Sequence, residues 1–212
     1  MKQKLIVMFL FIMCTIGAHA QKADHDTKTT WGIKAETNLS GFFISETSAI
    51  SSSMNVGATA GWFVNFEFND YWALQGNLLF HYKESALDRQ NLPGKYTYWG
   101  SEIAIYAMFQ RKFQKGDRIY VGLGPYSDFG FDARLKRGNE KIDLYKKDGA
   151  SEVSAMQDFD SGFGILLGYE FRNGVQINAG YKVGVTNILD ANSSEFKLIP
   201  HSVTLGIGFR FK

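Results

Sequence analysis

The sequence predicts an all-β fold, an eight-stranded antiparallel up-and-down transmembrane β-barrel. Three observations carry this expectation. Long runs alternate apolar and polar residues at the period of a β-strand. Eight such runs occur, an even number. The connections between them alternate between tight turns and long polar stretches, the asymmetry of barrels with short periplasmic turns and longer outer loops.

The first strand covers about 31–42, with Trp31, Ile33, Ala35, Thr37 and Leu39 on one face and Gly32, Lys34, Glu36, Asn38 and Ser40 on the other. The second is the clearest. From 54 to 68 every even-numbered residue is apolar, and among the odd ones only Phe63 breaks the polar set. These fifteen residues exceed the usual soluble strand and suffice to cross a bilayer at a tilt. Asn69-Asp70 then makes a tight turn. The third strand sets Trp72, Leu74, Leu78, Phe80 and Tyr82 against Gln75, Asn77, His81 and Lys83. The fourth sets Trp99, Ile103, Ile105, Ala107 and Phe109 against Gly100, Glu102, Tyr106 and Gln110, and residues 114–117 form a second tight turn.

The fifth strand places Ile119, Val121 and Leu123 opposite Tyr120, Gly122 and Gly124. The sixth places Phe159, Phe163, Ile165, Leu167, Tyr169 and Phe171 opposite Asp160, Gly162, Gly164, Gly168 and Glu170, and closes on the turn Arg172-Asn173-Gly174. The seventh has Val175, Ile177, Ala179, Tyr181, Val183 and Val185 opposite Gln176, Asn178, Gly180, Lys182 and Gly184. The eighth has Val203, Leu205, Ile207, Phe209 and Phe211 opposite Thr204, Gly206, Gly208 and Arg210. The remaining connections, 43–53, 84–96, 133–157 and 188–201, read as long polar loops.

The apolar face points outward. The polar face is crowded with glycine, a poor choice for a solvated sheet surface but a way to make room inside a narrow cylinder. The apolar face carries Trp31, Phe66, Trp72, Phe109, Tyr169, Phe171, Phe209 and Phe211 near the tight-turn ends, where an interfacial aromatic girdle belongs. The inner face then holds four cations, Lys34, Lys83, Lys182 and Arg210, and four carboxylates, Glu36, Glu67, Glu102 and Glu170. Buried charges persist when paired and hydrogen-bonded, so these eight are expected to form an ionic network filling the lumen. An eight-stranded barrel is just wide enough for its own side chains.

Ahead of the strands, residues 1–4 are basic, 5–16 are almost wholly apolar, and Ala18-His19-Ala20 has the small-x-small form of a cleavage site. The apolar stretch is too short to span a bilayer as a helix. Residues 1–20 therefore read as a secretory signal removed after Ala20, 21–30 as a polar periplasmic tail, and 31–212 as the barrel. Cys14, the one cysteine, leaves with the signal, which excludes disulfides, thiolate metal sites and cysteine nucleophiles. Losing Lys2 and Lys4 takes the balance from 23 basic and 21 acidic residues to 21 of each. A neutral chain has no electrostatic reason to bind nucleic acid.

Four segments carry a family resemblance. Ser101-Glu102-Ile103-Ala104-Ile105-Tyr106-Ala107 is similar to a Leu-Glu-Ile-Pro-Leu-Leu strand, with Ala104 where proline is usual. Val121-Gly122-Leu123-Gly124-Pro125-Tyr126 is similar to a Gly-x-Gly-Pro-Tyr strand. Asp160-Ser161-Gly162 through Gly168-Tyr169, and Gly180-Tyr181-Lys182-Val183-Gly184-Val185-Thr186-Asn187-Ile188, are similar to two further strands. Together they resemble the PorT-like, porin-family outer-membrane β-barrel proteins of Gram-negative bacteria, over nearly all of 31–212. The resemblance implies the outer membrane and the barrel fold, with no defined activity for most members and a part in envelope secretion for some.

No catalytic residue, metal ligand or cofactor is expected. His201-Ser202 could in principle pair as base and nucleophile, but neighbours in a strand point to opposite faces. No His-x-x-x-His spacing occurs. The expected function is a barrel with a side-chain-plugged polar lumen, structural or partner-binding through its outer loops and accessory to secretion or adhesion. The alternative is a small-solute channel. Expected partners are outer-membrane lipid, the barrel-assembly machinery and a protein at the outer loops.

Overall fold

The computed structural model describes residues 27–45, 50–89, 93–146, 156–189 and 197–211. The expected signal and cleavage site lie outside the described residues. Nine strands follow one another: β1 Lys28–Ser45, β2 Ile50–Glu67, β3 Trp72–Arg89, β4 Lys95–Lys112, β5 Arg118–Arg137, β6 Glu140–Asp143, β7 Phe159–Glu170, β8 Val175–Gly184 and β9 Lys197–Phe211. Eight close a ring in which every neighbour is antiparallel and β9 returns to β1, while β6 folds back on the far end of β5. Among the described residues no helix is long and apolar enough to cross a membrane; the crossing is made by strands.

The register shows how the ring closes. Following paired residues around the wall gives Thr29, Phe66, Leu74, Ala107, Leu123, Ile165, Tyr181 and Val203. Val203 pairs with Leu39, so one circuit climbs ten residues along β1. A stagger of that size tilts the strands by about 35–45°.

The tight turns lie where the sequence places them. The Asn69 carboxamide oxygen accepts the backbone N–H groups of Tyr71 and Trp72, both at 2.8 Å. Gly174 adopts φ +92°, a conformation open to glycine but strained for other residues.

The strands are longer than the alternation suggests. β1 begins at Lys28, inside the expected tail, and runs to Ser45. β2 starts at Ile50, β3 ends at Arg89 and β4 starts at Lys95, so most of the expected loops 43–53 and 84–96 is strand. The expected loop 133–157 is corrected too: β5 continues to Arg137, turns through Gly138-Asn139 and returns as β6. The physical reason is an inversion of polarity. In this upper rim the inward residues are apolar and cluster across the mouth: Phe42, Leu87, Tyr96, Tyr98, Leu135 and Leu198 among them. A bulge on β5, where Gly100 pairs with Gly130 but Trp99 with Asp132, switches the inward parity from Asp128 to Ala133 and Leu135.

Below the rim the wall has the expected sense. Trp62, Phe80, Leu123, Leu167, Leu205 and Ile207 are exposed on its outer face. Inside, tyrosines lie over glycines. A Cβ on Gly164 would come 2.6 Å from Tyr106 Oη, and one on Gly162 would come 2.7 Å from Tyr126 Cε1. Phe63, the exception to the alternation, is 1% exposed and packs over Gly32.

Candidate functional site

The polar lumen is the chemical centre of the molecule, and it is layered. At the tight-turn end, Arg118 enters from the first residue of β5. Its Nε and Nη2 donate to Glu170 Oε2 at 3.0 and 2.7 Å, and its Nη1 donates to Glu67 Oε1 and Gln110 Oε1, both at 2.7 Å. Arg210 Nη1 donates to Glu67 Oε1 at 2.8 Å and its Nη2 to Glu170 Oε1. Gln176 Nε2 adds a bond to Glu170 Oε2 at 2.7 Å, and Lys112 Nζ lies 3.2 Å from Glu67 Oε2. Two carboxylates thus hold two guanidiniums, with amides and a lysine filling the remaining positions, the condition for tolerating buried charge.

The middle layer holds two ion pairs, Lys34 with Glu36 at 2.8 Å and Lys182 with Glu102 at 2.5 Å. Asn38 Nδ2 donates to Thr59 Oγ1 at 3.0 Å, and Gln75 Nε2 to Asn77 Oδ1 at 2.8 Å. Above them, Asp128 accepts Lys83 Nζ at 2.5 Å and the Tyr98 hydroxyl at 2.7 Å, and meets His81 Nε2 at 3.1 Å. Asp160 accepts the hydroxyls of Tyr126 at 3.0 Å and Thr186 at 2.6 Å. A cavity of about 50 Å³ lies between this layer and the rim, bordered by Ser40, Tyr98, Tyr126, Asp128, Asp160 and Lys182. That is room for one or two waters. Over it sits the apolar cluster of the rim. Tyr145, beyond β6, packs against that cluster, and burial together with the nearby Asp128 charge pushes its phenol pKa up.

All eight charged residues singled out from the sequence are directed inward, with Lys83 and Arg210 partly exposed. The structure groups Glu67, Glu170 and Arg210, pairs Lys34 with Glu36 and Lys182 with Glu102, and gives Lys83 a partner not on that list, Asp128. Sequence reasoning missed Arg118, Asp128 and Asp160 as members. Arg118 and Asp128 share the even parity of Tyr120, Gly122 and Gly124, so extending that strand both ways would have found them.

His81, Glu102 and Asp128, from three adjacent strands, bring one possible ligand atom each within 4.8 Å of one another. Glu102 and Asp128 face each other directly across the β4–β5 pair. Lys182 and Lys83 already neutralise these two carboxylates, so the trio works as part of an ion-paired layer. His201 stacks on Phe43 at 3.9 Å, partly exposed, while Ser202 is buried on the opposite face. On the outer face, the tight-turn end is rimmed by Trp31 against Phe211 at 4.2 Å and Trp72 against Phe109 at 5.4 Å, with Tyr169, Phe171, Phe209 and Phe66 in the same band.

A closed ring of eight tilted strands, apolar and aromatic outside and ion-paired within, is the architecture of an outer-membrane β-barrel. Residues 10–211 match the family described as outer membrane protein beta-barrel domain, and the chain belongs to that family. Among solved structures it is similar to the outer membrane protein OprG of Pseudomonas aeruginosa, with a TM-score of 0.56 and 14% identity over 88% of this chain and 97% of that one. It is also similar to Neisserial surface protein A (TM-score 0.48, 15% identity, 87% and 99% covered). A third is the attachment invasion locus protein Ail of Yersinia pestis (0.45, 15%, 87% and 99%). These likenesses are of fold. No curated protein matches in sequence. The chain resides in the outer membrane of a Gram-negative bacterium.

Proposed function

We propose that this protein is a closed barrel, not a channel or an enzyme, and that it acts as a structural or partner-binding element through its outer rim. One observation carries the reading. The lumen is blocked twice, by the Arg118–Glu67–Glu170–Arg210 layer at one end and by the Phe42–Tyr96–Leu198 cluster at the other. The cavity beneath the rim cluster admits about one or two waters, too little for a hydrated solute. Charges in the wall serve to satisfy one another, in keeping with the packed interior of an eight-stranded barrel.

The lipid-facing wall and its aromatic band support insertion by the barrel-assembly machinery. The four motif segments support placement among PorT-like members, with an accessory part in secretion or adhesion. Single-channel recording in planar bilayers tests the closed lumen: a silent bilayer is expected, and reproducible conductance steps would establish the small-solute channel instead. A deletion strain assayed for secreted protein and surface attachment tests the role; unchanged secretion and attachment would remove it.

A further inference from the structure

We infer that the outer wall of the rim carries a binding site for phosphorylated lipid headgroups of the surrounding leaflet, formed by Lys95, Lys136 and Lys141. The strand register puts these lysines in one row. Lys95 on β4 pairs with Lys136 on β5, and Lys136 pairs with Lys141 on β6. Direct partners share a sheet face, and all three residues are exposed on the outward one. Like charges directly opposite each other destabilise a sheet, and among the described residues the Lys136–Lys141 pair has no carboxylate across it.

Among the described residues, only Lys95 of the three has a carboxylate partner. Glu84 on β3 meets Lys95 at 2.8 Å. Asp132 is engaged by Arg134, a further cation on the same face, at 3.0 Å. Asp143 lies 3.6 Å from Lys146. Among the described residues no carboxylate sits within ion-pair distance of Lys136 or Lys141. The β6 hairpin, which the sequence hid inside a loop, is what completes the row.

Position selects the ligand. Trp99, tilted against Tyr82 at 5.0 Å, is the last large aromatic of the outer face on β4, and such rings sit at headgroup level. Lys95 lies four residues further along the tilted strand, about 10 Å beyond it. Flexible ammonium stems reach back from there toward the headgroup layer. The row lies on the outward face close to the strand ends, one pair below the turn at Gly138-Asn139, and its ammonium groups are directed along the membrane plane. A phosphate monoester on a lipid headgroup carries up to two negative charges spread over three oxygens, which two or three neighbouring ammonium groups can share. The inference goes beyond the closed-lumen reading and does not depend on it, because the row is on the outer wall.

The test is native mass spectrometry of the intact barrel in nonionic detergent, with lipid A carrying its phosphates and with chemically dephosphorylated lipid A. The phosphorylated form should be retained preferentially. K95Q/K136Q/K141Q should weaken that retention at least tenfold at low salt, since each lysine near an anionic surface is worth about fivefold. K95R/K136R/K141R should retain it, and an unchanged boiling-dependent gel shift of both variants shows the fold intact. Equal retention of the two lipids, or of phosphorylated lipid by native and glutamine forms, overturns the site. Lysine-dependent binding of heparin without lysine-dependent binding of lipid A overturns its assignment to a lipid.

Discussion

The membrane-spanning drum and the rim above it are one continuous sheet with opposite polarity. In the drum, Leu123, Leu205 and Ile207 face lipid while Glu67, Arg118 and Glu102 face inward. In the rim, Lys95, Arg134 and Lys136 face out while Leu87, Tyr96, Leu135 and Leu198 face in. Each half obeys the same rule, that a face takes on the chemistry of what bathes it. The exchange occurs just past Tyr82 and Trp99 on adjacent strands, rings of the kind that sit at headgroup level. The drum stays folded by satisfying charge, the rim by burying apolar surface, and the two should fail in different ways.

The largest effect is expected in the drum. Glu170→Ala takes from Arg118 and Arg210 a carboxylate they share and should destabilise the barrel by about 3–5 kcal/mol, read as the urea midpoint of the micelle-folded protein. A loss under about 1 kcal/mol would mean water, not protein, satisfies those guanidiniums.

Leu198→Ala, at 1% exposure in the rim core, should cost about 2–5 kcal/mol of local stability. Limited proteolysis should then cut the rim faster while the unboiled gel mobility of the drum is kept. Loss of both together would show that the halves fold as one unit.

The wall itself can be tested with one cation placed at two heights. Leu123 and Phe131 are both on β5 and equally open, 62% and 63% exposed. Leu123→Arg should cost about 2–4 kcal/mol if the residue faces hydrocarbon. Phe131→Arg, in the bulge level with Trp99, should cost about 1 kcal/mol or less, the smallest effect of the set. Equal unfolding midpoints for the two variants would put both positions in the same solvent.

This inversion also explains what the sequence made legible. The drum was readable because its signal is apolar-outward alternation, and Trp72, Leu74, Leu78 and Phe80 need no knowledge of partners. The rim was not, because its apolar residues sit on the other parity. Phe42, Leu87 and Tyr96 look like stray hydrophobics in polar loops until the strands are extended through them. The β6 hairpin did leave a cue, Gly138-Asn139, with Gly138 at φ +55°, between two short stretches of mixed charge. Inward direction of the lumen charges follows from parity alone. Their grouping does not, because which strands approach across a lumen depends on the stagger, and a circuit that climbs ten residues brings Lys182 on β8 to Glu102 on β4.

The seam between β1 and β9 has a bearing on biogenesis. Fifteen residue pairs, from Trp31 with Phe211 to Ser45 with Lys197, join segments from opposite ends of the described chain. Until that zipper shuts, both edge strands offer bare hydrogen-bonding groups that a bilayer cannot satisfy, and the loop to be closed is nearly the whole polypeptide. A nascent sheet of this kind has two open margins, and its insertion should wait on the arrival of the final strand.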